Sequence, residues 1–287
     1  MGERPPRRFF DRVVVALDVA SLRSPALEIA AGFAASSGSE LVGLFVEDVN
    51  LLHLSGLSVS RPVSPRTNRP QGIDAQEMDR QLRRSARDAE ARLAALAKRL
   101  QLRWRFNVVR GEWSREVAAA SQASDLLVMS EDAEVADLRR RAVGLSRVSR
   151  DIANVASVFV GRRARLGPGG VLALIEAEGC TEAVIERATS LALAQAVPLV
   201  VYVVAGSQEG GASIRRQCAR ALAGEQQLNV IRWSDFDMPN LCEQINAVRP
   251  RLVVLCSDSD DQRVEARVAR FAAQLDAPVV LLRRDPS

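Results

Sequence analysis

The sequence predicts an α/β chain of two doubly wound, five-stranded parallel sheets in tandem. Three observations predict it. Short, continuous apolar runs alternate with segments of helical period, which is the signature of strands buried on both faces and joined by crossover helices. The alternation then occurs a second time: VVVALDVASLRSPALEIAAGFAASSGSELVGLFV, from Val13, aligns without a gap with VLALIEAEGCTEAVIERATSLALAQAVPLVVYVV, from Val171. Finally, 287 residues with 47% hydrophobic and 26% charged side chains are enough for two globular cores.

In the first repeat, Val13–Leu17, Leu41–Val46, Leu126–Met129 and Val158–Val160 read as buried strands. Leu102–Val108 differs, because Leu102, Trp104, Phe106 and Val108 alternate with Arg103, Arg105 and Asn107. A period of two describes a half-exposed strand, so this one belongs at a sheet edge, with Trp104 and Phe106 turned into the sheet. Helical patterns fall at Pro25–Ala35, Ala75–Leu100, Ser114–Gln122 and Leu138–Asn154. In the longest, Met78, Leu82, Ala86, Ala89, Leu93, Leu96 and Leu100 recur at three- and four-residue steps and share one face. Later blocks of the repeats also match. Asn107–Arg110 resembles Asn229–Arg232, Leu126–Met129 resembles Leu252–Leu255, and Ala156–Val160 resembles Ala277–Leu281. The charged, Gly/Pro-rich segment Arg162–Gly169 marks the junction. The expected division is a tail over 1–11, domains over 12–163 and 169–284, and a linker over 164–168. A polar stretch from Ser58 to Gly72, with Pro62, Pro65 and Pro70, reads as a surface insertion of the first repeat.

Composition narrows the function. No apolar run reaches the roughly 18–20 residues that span a bilayer, and no signal region follows the charged start, so a cytoplasmic protein without membrane insertion is expected. The net charge of +4 is almost all arginine, since Lys98 is the sole lysine. Spread over two domains it attracts a polyanion weakly, and no nucleic-acid partner is expected. The one histidine, His53, leaves little room for His-rich metal sites or His-based catalysis. Cys180, Cys218, Cys242 and Cys256 are widely spaced with no CxxC, and read as small buried hydrophobes, with neither a disulfide framework nor a zinc site.

VVVALDVASLRSPALEIAAGFAASSGSELVGLFVED resembles the opening of a universal stress protein (UspA-type) domain. VVRGEWSREVAAASQASDLLVMS and VSRDIANVASVFV resemble its later blocks. The resemblance covers most of Arg12–Arg163 and, more weakly, Gly169–Arg284. It implies a five-stranded sheet of order 3-2-1-4-5 in each repeat. In nucleotide-binding members an acidic residue after the first strand meets adenosine, and G-x2-G-x9-G-[ST] after the fourth strand cradles phosphates through backbone N–H groups. On this resemblance the positions matching the ATP site are Asp18, Val46, Ser130, Ser146 and Arg147. Asp18 keeps the acid. Ser130 replaces the first glycine, Glu131-Asp132-Ala133-Glu134 follows it, and Ser146-Arg147 stands near the last glycine and hydroxyl. In the second repeat Glu176 takes the acidic place, and Ser257-Asp258-Ser259-Asp260-Asp261 follows the fourth strand.

These eroded loops lead to the expectation of a non-enzymatic stress-response or regulatory protein that binds a protein partner, with no cofactor. The alternative is an ATP or AMP sensor, or weak ATPase, using Asp18 in the first repeat. Asp18 also has a purely structural reading, satisfying backbone donors in the turn before the first helix. Arg139, Arg140, Arg141, Arg147 and Arg150 read either as phosphate ligands or as a solvated face. Asp258, Asp260 and Asp261 lack the glycine and glutamate of an EF-hand loop. The two last strands, Ser157–Val160 and Pro278–Leu282, are expected to pair within the chain, as a monomer or a dimer of such chains.

Overall fold

The computed structural model describes residues 10–19, 21–48, 75–122, 125–130, 156–175, 181–205, 208–221, 227–232, 238–257, 268 and 270–283. The first half carries strands β1 (Arg12–Leu17), β2 (Glu40–Asp48), β3 (Trp104–Gly111), β4 (Asp125–Ser130) and β5 (Ala156–Val160). Its helices are α1 (Ala26–Ser37), α2 (Ala75–Leu100) and α3 (Trp113–Ala120). The second half carries β6 (Val171–Ile175), β7 (Leu199–Ala205), β8 (Gln227–Arg232), β9 (Leu252–Ser257) and β10 (Val279–Arg283). With them are α4 (Thr181–Ala194), α5 (Gln208–Ala221) and α6 (Met238–Val248). The expected helix at Leu138–Asn154, the insertion after β2 and His53 lie outside the described residues.

The strands form one ten-stranded sheet in the order β3-β2-β1-β4-β5-β10-β9-β6-β7-β8. The two expected five-stranded sheets are thus one continuous sheet, joined by the pairing of their last strands. Each half keeps the 3-2-1-4-5 order. β5 and β10 meet antiparallel, Val279 opposite Phe159, Val280 opposite Val158 and Leu281 opposite Ser157, while the other strand pairings among the described residues are parallel. Each of these two strands would otherwise offer a bare edge of apolar residues, and pairing satisfies both sets of backbone groups at once.

Alternation along the strands divides the core between two faces. Val13, Val15, Leu17, Phe45 and Val128 point to one face, where α1 and α2 cover them. Val171, Ala173, Ile175 and Val201 point to that same face under α4 and α5. On the opposite face Val14, Ala16, Leu127 and Met129 lie with Val117 of α3, and Leu172, Leu174 and Val253 lie with Leu241, Cys242 and Ile245 of α6. Equivalent helices of the halves therefore share a face, and the pseudo-two-fold relating the halves stands perpendicular to the sheet. Contacts across the junction include Leu166, which packs beside Gly32 of α1, and Arg187, whose guanidinium lies 5.5 Å from the Phe10 ring centroid.

The long amphipathic pattern folds as read. Leu82, Ala86, Ala89 and Leu93 of α2 are buried, while Leu100, at the last turn, is exposed. Two apolar residues of the edge strand are exposed, Trp104 at 38% and Val108 at 50%, and for Trp104 this corrects the expected turn into the sheet. Among the described residues β3 pairs only with β2, so no strand flanks its outer side, and of its side chains only Phe106 reaches the core on the α2 face.

Candidate functional site

In a sheet of this winding, ligands lie outside the carboxyl ends of the strands, where crossovers diverge to opposite faces. In the first half that point is between β1 and β4, because α1 follows β1 on one face and α3 precedes β4 on the other. Three of the five residues singled out from sequence meet there. Leu17 pairs with Phe45, so Asp18 comes level with Val46. Continuing the register past Val15↔Val128 brings Leu17 level with Ser130. Ser146 and Arg147 lie outside the described residues, as does Glu176 of the second half.

The three side chains are engaged differently. Asp18 is 7% exposed and closes a reciprocal turn with Ser21. The Ser21 backbone N–H donates to Asp18 Oδ1 at 2.7 Å, the Asp18 N–H donates to Ser21 Oγ at 2.7 Å, and that hydroxyl donates to the Asp18 carbonyl at 3.0 Å. The turn leads into a short 3-10 segment, Ser21–Arg23, and then into α1, whose Ala26 N–H is met by Ser24 Oγ at 3.0 Å. Val46 is buried with the α3 face and contributes packing. Ser130 is buried at the end of β4, and its Oγ has no hydrogen-bond partner among the described residues. An orphaned buried hydroxyl costs free energy unless something supplies a partner.

The rim beside Val46 holds a charged network that the sequence reading missed. Arg110 of β3 donates from Nε to Glu47 Oε2 at 2.8 Å and from Nη2 to Asp79 Oδ1 of α2 at 2.6 Å. Hydrogen bonding to Asp79 and Glu47 raises the Arg110 pKa, and the same bond to Arg110 lowers that of Asp79. Glu47 and Arg110 are opposed in the β2–β3 register, a signal that alignment of the two strands would have revealed. The network ties the start of α2 to the sheet edge.

At the equivalent point of the second half, the register Ala173↔Val254 carries on to set Ile175 level with Cys256. Cys256 thus holds the place of Ser130, and it is disulfide-bonded to a partner outside the described residues. This corrects the reading of all four cysteines as inert small hydrophobes. Spacing along the chain carries no information about which strand ends a fold brings together. Cys218 and Cys242 fit that reading, both being free and buried, with burial pushing their thiols from 9.0 to about 11. The acidic run Asp258–Asp261 and the arginines of 139–150 fall outside the described residues. Trp113 packs partly buried against the α3-face core.

No protein-family model matches the sequence, and no curated protein matches it. Solved structures do. The chain is similar to a universal stress protein from Archaeoglobus fulgidus DSM 4304, with 13% identity and a TM-score of 0.66 over 94% of this chain and 96% of that one. It is also similar to a Pseudomonas aeruginosa UCBPP-PA14 protein named for the same family, with 13% identity and a TM-score of 0.56 over 96% and 94%. The cytoplasmic domain of a prokaryotic cation chloride cotransporter aligns at 9% identity and a TM-score of 0.52, over 95% of each chain. The fold is the one found in universal stress proteins. Among the described residues, no helix is long and apolar enough to cross a membrane.

Proposed function

We propose that this chain is a tandem universal stress protein-like regulator that works in the cytoplasm by binding a protein partner, without catalysis and with nucleotide binding reduced or lost. The observation that carries this reading is the Asp18–Ser21 turn. The carboxylate placed where an adenosine would be met already accepts the Ser21 N–H and holds the entry to α1. The sequence after β4 supports it, because Ser130 replaces the first glycine of the phosphate motif and Glu131, Asp132 and Glu134, which follow it, would repel phosphate. A further support is that the same fold occurs as the cytoplasmic domain of a cotransporter.

A second reading, an ATP or AMP sensor in the first half, is favoured by the unpartnered Ser130 hydroxyl at the switch point. Two measurements separate the readings. Mass spectrometry of molecules released from freshly purified protein is expected to find no stoichiometric ATP, ADP or AMP. Titration with ATP and Mg²⁺ is expected to show no micromolar binding. Stoichiometric nucleotide, or micromolar binding lost in Asp18→Ala with the fold retained, would establish the sensor and remove the first reading.

A further inference from the structure

A cavity of about 340 Å³ opens where the halves are joined, lined by none of the strand-end site's residues. Arg163, Arg165, Gly167 and Pro168 of the linker form one wall, Asn246, Arg249 and Pro250 at the end of α6 another, and Asp276 the third. Its volume falls in the lower part of the range for small-molecule sites.

Its charged side chains are exposed and carry a net positive charge. Three guanidiniums and one carboxylate line it. Among the described residues, none of those guanidiniums makes an ion pair or side-chain hydrogen bond, although Arg12, Arg92, Arg105 and Arg110 elsewhere in the fold are paired with acids. Each guanidinium presents a planar fork of donors suited to phosphate oxygens.

The walls are held by backbone bonds and by the Asn246 amide, which leave the three guanidiniums unused. Asn246 Nδ2 donates to the Gln274 carbonyl at 3.1 Å, and its Oδ1 accepts the Asp276 N–H at 2.9 Å. The Arg165 N–H donates to the Asp276 carbonyl at 2.8 Å, and the Gly169 N–H donates to the Arg249 carbonyl at 3.2 Å. Asn246 is therefore a positioning residue, which sets Asp276 opposite the linker arginines.

Asp276 narrows the ligand class. A carboxylate repels a bare oxyanion but accepts from hydroxyl groups. We infer that this cleft binds a small phosphate ester carrying free hydroxyls, such as a sugar phosphate, with the phosphate on Arg163, Arg165 and Arg249 and a hydroxyl on Asp276. Such a ligand bridges the linker and the second half, so it braces the junction.

Calorimetric titration of the full chain with ribose 5-phosphate tests this, with inorganic phosphate as comparison. Ribose 5-phosphate is expected to bind, and more tightly than inorganic phosphate. Arg163→Gln and Arg249→Gly are each expected to weaken it by about ten-fold, the loss of a charge-assisted contact. Arg249 sits at φ 49, where glycine is favoured, so its glycine variant removes the charge without straining the fold. Absence of binding at millimolar concentration overturns the inference, as does binding that neither variant weakens. Equal affinity for inorganic phosphate overturns the role of Asp276. Loss of binding in Asp18→Ala would place the ligand at the strand ends and also overturn it.

Discussion

Single residues here differ most in whether their charges are desolvated. The Asp125 carboxylate, at the start of β4, is fully buried and takes two donors from Arg12 of β1, Nε at 2.9 Å and Nη2 at 2.6 Å. It also accepts the Gln122 N–H at 2.7 Å, and its hydrogen bond raises the Arg12 pKa. The pair clamps adjacent strands at the end of the sheet opposite the candidate site. By contrast, Arg80–Glu77 on α2 is a solvated pair between exposed side chains, worth about 0–1 kcal/mol. Truncating Asp125 leaves the part-buried Arg12 guanidinium and the Gln122 N–H without their partner. Asp125→Ala is therefore expected to lower unfolding free energy by about 3 kcal/mol, measured by urea denaturation, and Arg80→Ala by less than about 1 kcal/mol. Equal effects would show that the buried pair contributes no more than a surface one.

At the scale of elements, the two halves solve the same turn with different residues. Gly38 closes α1 at φ 65, and Ala196 closes the equivalent α4 at φ 50. The next residue makes the same bond in both, Ser39 N–H to the Ala34 carbonyl at 3.1 Å and Val197 N–H to the Ala192 carbonyl at 3.0 Å. The left-handed conformation costs a side-chain-bearing residue about 1 kcal/mol that glycine avoids. Ala196→Gly is expected to stabilise the protein by about 0.5–1 kcal/mol and Gly38→Ala to destabilise it by about 1 kcal/mol, read from thermal unfolding. A fall in melting temperature for Ala196→Gly would mean that the alanine methyl packs more favourably than the backbone is strained. The sequence reading did not single out these caps, since an alanine at position 196 does not announce a left-handed turn; the strands were legible, because runs like Val13–Leu17 carry their burial in their composition. The exposure of Trp104 was not legible, because alternation says which face a side chain takes but not whether a neighbour covers it. Asp18 and Ser130 could be placed at strand ends from the pattern alone. Neither the Cys256 disulfide nor the arginine cleft could be, since both depend on segments far apart in sequence.

For the whole molecule, the decisive feature is that β5 and β10 each close the other's edge. Val158 and Phe159 of β5 are buried, as are Val279 and Val280 of β10, and both core faces run continuously across the seam. After β5 the chain passes so close to α6-face structure that a Cβ at Gly161 would meet the Ala272 carbonyl, which leaves the junction no slack. A fragment of residues 1–163 keeps its own strands but leaves β5 bare, with its backbone donors and acceptors unpaired. Because β5 and β10 are equivalent in the two halves, the simplest partner for a bare β5 is another β5, meeting antiparallel about a true two-fold axis. The fragment is thus expected to self-associate, with sedimentation velocity showing a dimer or larger species in a concentration-dependent equilibrium. Its melting temperature is expected to rise with concentration, because association stabilises the folded form by mass action. A 1–163 fragment that stays monomeric and melts with the full chain would show that the seam joins two self-sufficient sheets and contributes nothing to their stability.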